Sequence, residues 1–433
     1  MHTATQERII RPAKNILGSL RLPGDKSISH RYGMLAAFAE GTSRFSNFST
    51  GADCASTLSC MEALGARVKK LEDGQVEVTG VGGRVKPSDS PLDCGNSGST
   101  MRMISGLLAP QEGHFILIGD DSLSRRPMER IRKPLEAMGA RITLTDGHAP
   151  VMIAGAPLRA IDYTSPVPSA QVKTCILLAG LQTAGQTTVH ESVRTRDHSE
   201  LALRAFGASV ERTIDSVSIR GPQTLHSIEA AVPGDLSSAA FFLSAASIFE
   251  GSSLVIDALG MNPTRAALLD VLTALGAHIA VLELEEKHAE LIGTVQITLP
   301  PTGLRSTEIS GSMAAQLIDE LPVLAAIGPY TSGGIRIRDA KELRVKESDR
   351  IALVAKNLRA MGAEVTEFDD GLDVPGGQKL HGAVIDSGGD HRIAMAFSVA
   401  ALRAEGETLI QGAESAAISF PEFFDLLEKV AER

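Results

Sequence analysis

The chain is 433 residues long, 43% hydrophobic and 22% charged, with a net charge of −10 at pH 7. That length predicts more than one domain, and the acidic balance excludes the basic footprint of a nucleic-acid-binding protein. No apolar run reaches membrane-spanning length, Met1 to Lys14 lacks the apolar core of a signal peptide, and Cys54, Cys60, Cys94 and Cys175 form no CxxC pair, so a reduced cytoplasmic protein is expected.

In chain order, the first informative stretch is Leu22-Pro23-Gly24-Asp25-Lys26-Ser27-Ile28-Ser29-His30-Arg31. Pro23-Gly24 is turn chemistry, and the residues from Tyr32 to Ala39 are largely apolar. Lys26 and Arg31 therefore fall at or just inside a helix N-terminus, where spare N–H groups and the helix dipole favour an anion. Read alone, the segment fits a capped helix start as well as it fits an anion pocket.

Five further segments share the design, small or charged at the start and then almost wholly apolar: 96–109, 169–180, 235–246, 312–327 and 390–401. Helices apolar on every side are buried. A second pattern recurs between them. Met61 to Val68, Leu135 to Ile142, Leu203 to Val210, Leu272 to Ile279 and Leu358 to Val365 each read as a helix that ends on Gly and passes into a strand. The period of about 70 residues is too long for a solenoid, so each repeat is a small helix–strand–helix–strand unit with short strands between, as at 75–78 and 151–153. A sixth helix at 421–433 has no strand after it. Glu7 to Pro12 is the candidate for the missing strand, which would bring the two termini into one domain.

Six α/β units group as two sets of three, with Pro23-Gly24 and Pro233-Gly234-Asp235 as crossing points. The expected domains are residues 1–22 plus 235–433, and residues 23–234.

Charged and hydroxyl residues collect at the helix starts. They are Lys26, Ser27 and Arg31; Asn96 to Arg102, then Arg125-Arg126; Ser169-Ala170-Gln171-Val172-Lys173, then Arg194 to His198; Asp319-Glu320, then Lys346-Glu347-Ser348-Asp349-Arg350; and Asp390-His391-Arg392. An acidic chain with cations at many helix starts points to a small polyanionic ligand. Singly, Arg126 reads as well as a surface helix start, and 346–350 as a solvated one. Asp319-Glu320 differs, because it interrupts a helix expected to be apolar from Ala314 to Ile327, and a buried carboxylate pair needs a partner or a task. Arg102 and Arg392 likewise need anions. His198 and His391 lack an i,i+4 His partner, so no metal site is expected. Gly98 suits either close approach to a ligand or close helix packing. Cys94 and Cys175 read as small core residues.

Together and in order, 22–31, 95–102, Ser124 to Met128, 169–173, Arg196-Asp197-His198, Ile318-Asp319-Glu320, Glu342 to Arg350 and Asp390-His391-Arg392 make the sequence resemble the 5-enolpyruvylshikimate-3-phosphate synthase family over nearly the whole chain. The resemblance implies an α/β fold of two similar domains, each of three βαβαββ units (an inside-out α/β barrel), with two crossings that close over the substrates. It implies an enzyme that transfers the enolpyruvyl group of phosphoenolpyruvate to the 5-hydroxyl of shikimate 3-phosphate by addition–elimination, releasing phosphate, in the shikimate pathway of aromatic amino-acid biosynthesis. No metal or organic cofactor, no nucleic acid and no membrane partner is implied; a cytoplasmic monomer and glyphosate target is expected.

By the same resemblance, Ser27, Arg31, Ser169, Ala170, Gln171, Arg196 and Lys346 hold shikimate 3-phosphate, while Gly98, Arg126, Gln171, Arg350 and Arg392 hold phosphoenolpyruvate. Lys26 reaches both. Asp319 accepts the proton of the attacking hydroxyl, and Glu347 is the candidate donor to the methylene carbon. The residue types suit this chemistry: arginines anchor phosphate and carboxylate groups bidentately, and two carboxylates in distinct environments serve as acid and base.

Two features depart from the family pattern. Ile418 precedes Ser419-Phe420-Pro421 where many members carry Lys, which removes the basis for one cationic contact to phosphoenolpyruvate. The wording around Arg31, Arg196 to His198 and Ser419 to Phe423 resembles the glyphosate-tolerant branch, yet Gly98 stands where that branch often has Ala, so glyphosate is expected to fit. The nearest alternative is the sister enzyme that uses UDP-N-acetylglucosamine. It typically has Lys-Asn where this chain has Lys26-Ser27, and a loop Cys before the Arg matching Arg126; no Cys lies between Cys94 and Cys175. A non-catalytic phosphometabolite-binding protein is the other alternative, against which Asp319 and Glu347 speak.

Overall fold

The computed structural model describes residues 7–433; residues 1–6, which belong to the segment read for a signal peptide and to the first expected domain, lie outside the described residues. The chain forms two compact units. One holds the described residues through Pro23 with Pro233–Lys287 and Leu291–Arg433, and the other holds Gly24–Val232 with His288–Glu290.

Six sheets repeat one plan. In the second module, Leu92–Asp93 runs parallel to His114–Ile118, which pairs antiparallel with His148–Ala154, which pairs antiparallel with Arg141–Thr145. A buried helix, Gly98–Leu108, makes the crossover between the parallel pair, and Glu129–Ala137 precedes the outer strand. This is βαβαββ, and the third and fifth modules repeat its pairing. The first and fourth take their leading strand from the far side of a crossing. Glu229–Ala231 pairs parallel with Thr42–Ser46, and Asn15–Arg21 pairs parallel with Ser253–Gly260. The sixth has three strands, in which Thr408–Gln411 pairs antiparallel with the N-terminal segment, Arg8–Ile10, and parallel with Val384–Asp386.

The predicted turns are where they were expected. Gly65, Gly139, Gly207, Gly276 and Gly362, at the five helix ends, all have φ between 87° and 107°, which costs a residue with a Cβ but not glycine. Most crossover helices are buried on all sides, as in Ala170–Gln182, where every residue from Val172 to Leu181 is buried; Gly311–Gln316 differs, with only Ala314 buried. Fully burying each aliphatic side chain contributes about 1.5–3 kcal/mol. Gly106 shows how close these helices come, since a Cβ there would lie 1.9 Å from the Cys175 carbonyl oxygen. Each unit has its own continuous core. With no Trp, aromatic packing is concentrated on Phe241, Phe242, Phe420 and Phe423 in the first unit.

Three boundaries differ from expectation. The helix predicted over 312–327 is two helices, Gly311–Gln316 and Leu321–Ile327, with a turn at 317–320. The physical reason is Pro322, which has no N–H to donate to Ile318 and whose ring crowds that carbonyl. Asp319 and Glu320 therefore sit in the break and interrupt no continuous helix. The helix predicted to begin within 346–350 starts at Arg350 with Asp349 as its cap, leaving Lys346 and Glu347 in irregular chain before it. The last helix is Phe423–Val430, and Ala431–Glu432 then pairs with Asn15–Ile16, so a short strand does follow it.

Candidate active site

In the second unit the N-terminal turns of the Lys26–Phe38, Gly98–Leu108 and Ala170–Gln182 helices are tied together by their side chains. Each helix is capped in the way its sequence predicts: Asp25, Ser97 and Ser169 accept from the N–H of Ile28, Thr100 and Val172. Arg31 is almost wholly buried, and all three directions of its guanidinium are used. Nε donates to Ser199 at 2.6 Å, Nη1 to the Ser27 carbonyl at 2.9 Å and Nη2 to Thr174 at 3.0 Å. Burial, aided by the nearby Arg196 charge, pulls its pKa down to about 10 against the opposing pull of Glu200, Asp25 and Glu290. Lys26 pairs with Asp53 at 3.1 Å. Arg102 Nη1 donates to the Gln171 side-chain oxygen at 2.7 Å, and Gln171 donates to Ser99 at 2.9 Å.

Arg126 is buried and lies ahead of the helix that starts at Glu129, so it is no surface helix start. Its Nη2 donates to Asn96 at 2.7 Å and to Ser122 at 3.2 Å, and Asn96 donates to Asp120 at 2.7 Å. A Cβ on Gly98 would stand 3.1 Å from Arg102 Nη1 and 3.4 Å from Arg126 Nη1. Gly98 thus faces two guanidiniums, and helix packing is not the reason for it. Arg196 lies in the loop after the Gly185–Glu191 strand. That loop is held at both ends: Thr195 donates twice to Glu191, and Asp197 pairs with Arg194 and Arg212. Glu191 in turn shares the fully buried Lys173 with Glu200, at 3.0 Å and 2.8 Å.

The first unit gathers the carboxylates. Asp319 Oδ1 lies 3.4 Å from Lys346 Nζ and 3.6 Å from Arg350 Nη1, and Arg392 Nη1 donates to the Asp319 carbonyl at 2.8 Å. Arg350 also donates to Glu347 at 2.6 Å and to Asp390 at 2.8 Å. Burial by itself would depress the Arg350 guanidinium, but Asp390, Glu347 and Asp319 outweigh it and hold the group firmly charged. Arg392, expected to need an anion, meets a carbonyl at bonding distance and the Glu320 carboxylate at 4.0 Å. The run 346–350, which read equally well as solvated, is largely committed to buried partners.

The structure brings Lys26, Ser27, Arg31, Gly98, Arg126, Ser169, Ala170, Gln171 and Arg196 onto the second unit, and Asp319, Lys346, Glu347, Arg350 and Arg392 onto the first. Sequence reasoning missed Asp53, Asp390 as a site group, Ser199 and Thr174 as holders of Arg31, and Arg265, which lies against Glu320. Asp53 lies in the first turn of the second helix of its module and Arg265 in the turn just before the second helix of its own, and nothing in their local pattern separates them from solvated residues. Asp390 was visible within its motif. Among the described residues no group of three or more His, Cys, Asp or Glu could hold a metal ion, and no helix is long and apolar enough to cross a membrane.

Cations, helix N-termini and buried carboxylates in this arrangement define a group-transfer enzyme for small polyanions. Residues 10–427 match the family model for EPSP synthase (3-phosphoshikimate 1-carboxyvinyltransferase). The chain is 66% identical to a 3-phosphoshikimate 1-carboxyvinyltransferase of Koribacter versatilis, over 98% of this chain and 99% of that one, and 53% identical to the protein of that name from Solibacter usitatus, over 98% and 100%. Its fold superimposes on EPSP synthase from Acinetobacter baumannii with a TM-score of 0.87 at 40% identity, covering 99% of this chain and 98% of that one. The chain belongs to the EPSP synthase family and is a transferase.

Proposed function

We propose that this protein transfers the enolpyruvyl group of phosphoenolpyruvate to the 5-hydroxyl of shikimate 3-phosphate, releasing phosphate. Ser27, Arg31, Ser169, Ala170, Gln171, Arg196 and Lys346 hold shikimate 3-phosphate. Gly98, Arg126, Gln171, Arg350 and Arg392 hold phosphoenolpyruvate, and Lys26 contacts both. In the addition step Glu347 protonates the methylene carbon, the 5-hydroxyl oxygen bonds to the neighbouring carbon, and Asp319 takes the hydroxyl proton. In the elimination step Glu347 takes back a methyl proton, the carbon–oxygen bond to phosphate breaks as Asp319 gives its proton to the leaving phosphate, and the double bond re-forms. The proton ledger closes on the two carboxylates with no other acid or base.

The observation that carries this reading is the pair of carboxylates around Arg350. Asp319 sits beside Lys346 and Arg350, while Glu347 accepts from Arg350 Nη2, which also donates to Asp390. A protein that only bound anions would lose affinity by placing carboxylates among its cations. Buried free thiols at Cys54, Cys60, Cys94 and Cys175 support a cytoplasmic setting, and we take the enzyme to act there as a monomer that needs no cofactor.

The test is phosphate release from phosphoenolpyruvate with shikimate 3-phosphate as acceptor. Release is expected. Release only with UDP-N-acetylglucosamine, or with neither acceptor, overturns the reading.

A further inference from the structure

We infer that Arg265 is a positioning residue for the reaction, acting through Glu320 on the turn that presents Asp319. Neither Arg265 nor Glu320 is among the groups assigned above to a substrate. Both are buried, at 7% and 5% exposure.

Asp319 sits where the helix is broken. Pro322 ends helical hydrogen bonding ahead of it, so the turn at 317–320 needs other anchors. It has one on each side. Arg392 Nη1 donates to the Asp319 carbonyl at 2.8 Å. The Glu320 carboxylate is fixed by the Ser237 hydroxyl and lies 3.7 Å from Arg265 Nη2. Arg265 donates to Ser237 as well and meets the capping carboxylate Asp235 at 3.4 Å. Its own backbone is set by a tight turn, in which Arg265 N–H bonds the Asn262 carbonyl at 2.9 Å and Thr264 bonds the Asn262 side chain. One guanidinium therefore locks the residue next to Asp319 to the first turn of the Leu236–Ser247 helix.

The internal repetition of the chain makes the substitution visible. Pro23-Gly24-Asp25-Lys26-Ser27 and Pro233-Gly234-Asp235-Leu236-Ser237 open equivalent modules in the two units, each with its Asp as helix cap. The first carries its cation on the helix, at Lys26, and pairs it with Asp53 on the following helix. The second has Leu236 in that position and takes its cation from the turn before the following helix, at Arg265. Its carboxylate partner is Glu320. Charge that serves ligand binding in one unit is turned inward in the other to hold the turn of Asp319.

This inference rests on Asp319 being the base. The charged groups facing Asp319 are Lys346, Arg350 and Arg392, with Glu347 and Asp390 behind Arg350, and Arg265 with Asp235 behind Glu320. Changing Arg265 alters its links to Glu320, Ser237 and Asp235, and changing Glu320 also removes its 4.0 Å approach to Arg392.

The experiment compares Arg265→Gln, Arg265→Lys, Glu320→Gln and the double variant Arg265→Gln/Glu320→Gln in the full chain, alongside Asp319→Asn. Melting curves establish that each folds, and the Lys and double variants preserve charge balance where a single change does not fold. In both single Gln variants kcat is expected to fall about tenfold or more, while KM for each substrate moves by less than roughly threefold. Loss of the Glu320 charge shifts the acid limb of the kcat–pH profile to lower pH, and loss of the Arg265 charge shifts it to higher pH, by the sign of the charge removed. The double variant returns the limb toward its original position, and Arg265→Lys retains more turnover than Arg265→Gln. Limbs that do not move, or that move in the same direction, overturn the positioning role. Full turnover in Asp319→Asn overturns the base assignment, and this inference with it.

Discussion

Arg350 and Asp390 meet as a fork, Nε to Oδ2 at 2.8 Å and Nη2 to Oδ1 at 3.2 Å, with both side chains buried. Burial on its own would raise the Asp390 carboxyl; the Arg350 charge overcomes it and holds the group below its ordinary value. Asp390 also caps the His391–Ala401 helix by accepting from the Arg392 N–H at 2.9 Å, so one side chain fixes both the cation and the helix start. A carboxylate whose folded pKa is depressed contributes stability that is complete above its unfolded pKa and is lost as pH falls through the folded value. Asp390→Asn is therefore expected to cost about 3 kcal/mol at neutral pH, because it takes from a buried guanidinium its one fully buried carboxylate partner among the described contacts, leaving Glu347 and Asp319. The difference from wild type should begin to narrow below about pH 4, where the carboxyl of the unfolded chain takes up its proton, and close as pH falls through the lower folded value. Urea unfolding across that range measures it, and a neutral-pH loss below 1 kcal/mol ~ the worth of a surface pair ~ contradicts the fork's importance.

The fork also shows where sequence reading stops. Asp390 and Arg350 belong to motifs 40 residues apart, and each motif was visible. Six modules, the glycine-ended helices and the N-terminal strand that joins the sixth sheet were all legible, because periodicity and a left-handed cap are local properties. The break at 317–320 was missed because an apolar run outweighed a proline that was there to be read. Asp53 and Arg265 were missed for a different reason. Each is one charged residue at or just before a helix start, and only the fold brings it to Lys26 or to Glu320.

Gly98 makes the second prediction. A methyl there meets Arg102 Nη1 at 3.1 Å and Arg126 Nη1 at 3.4 Å, tight enough that a guanidinium has to yield. Glyphosate, longer than phosphoenolpyruvate, is the more sensitive to lost room. Gly98→Ala is expected to raise the inhibitory concentration of glyphosate about tenfold or more, to raise the phosphoenolpyruvate KM by a smaller factor and to leave the shikimate 3-phosphate KM near its original value. Steady-state inhibition curves decide it. Inhibition of wild type no tighter than of the variant would sink the idea.

Asp319 and Lys173 test two different links. Asp319→Ala removes the proposed base from its place beside Lys346 and Arg350, and turnover should fall by about a hundredfold or more while substrate affinity changes little. Unchanged turnover removes Asp319 from the mechanism. Lys173→Met instead leaves Glu191 and Glu200 buried without their shared cation, at a cost of about 3 kcal/mol or more. Because Glu191 also accepts from Thr195, next to Arg196, the milder Glu191→Gln should raise the shikimate 3-phosphate KM with little change in kcat. A fall in kcat at constant KM would place that loop elsewhere in the cycle.

His30 gives the second unit a pH dependence of its own. It is fully enclosed, with Nδ1 2.7 Å from the Thr57 hydroxyl. Burial, with Lys26 and Arg31 nearby, pushes its pKa well below 6.5. The unfolded chain thus binds a proton that the folded chain refuses. Stability is complete above the unfolded pKa and declines as pH falls below about 6.5, by about 1.4 kcal/mol per pH unit until the folded value is reached. Replacing His30 with Gln removes that proton from the balance. The variant is expected to be less stable at pH 8, where it loses the packed ring, yet to show a shallower decline than wild type between pH 6.5 and pH 5. Urea titrations at half-unit intervals measure both slopes. Since the other histidines contribute equally to the two proteins, parallel slopes would mean that His30 accepts its proton within the fold.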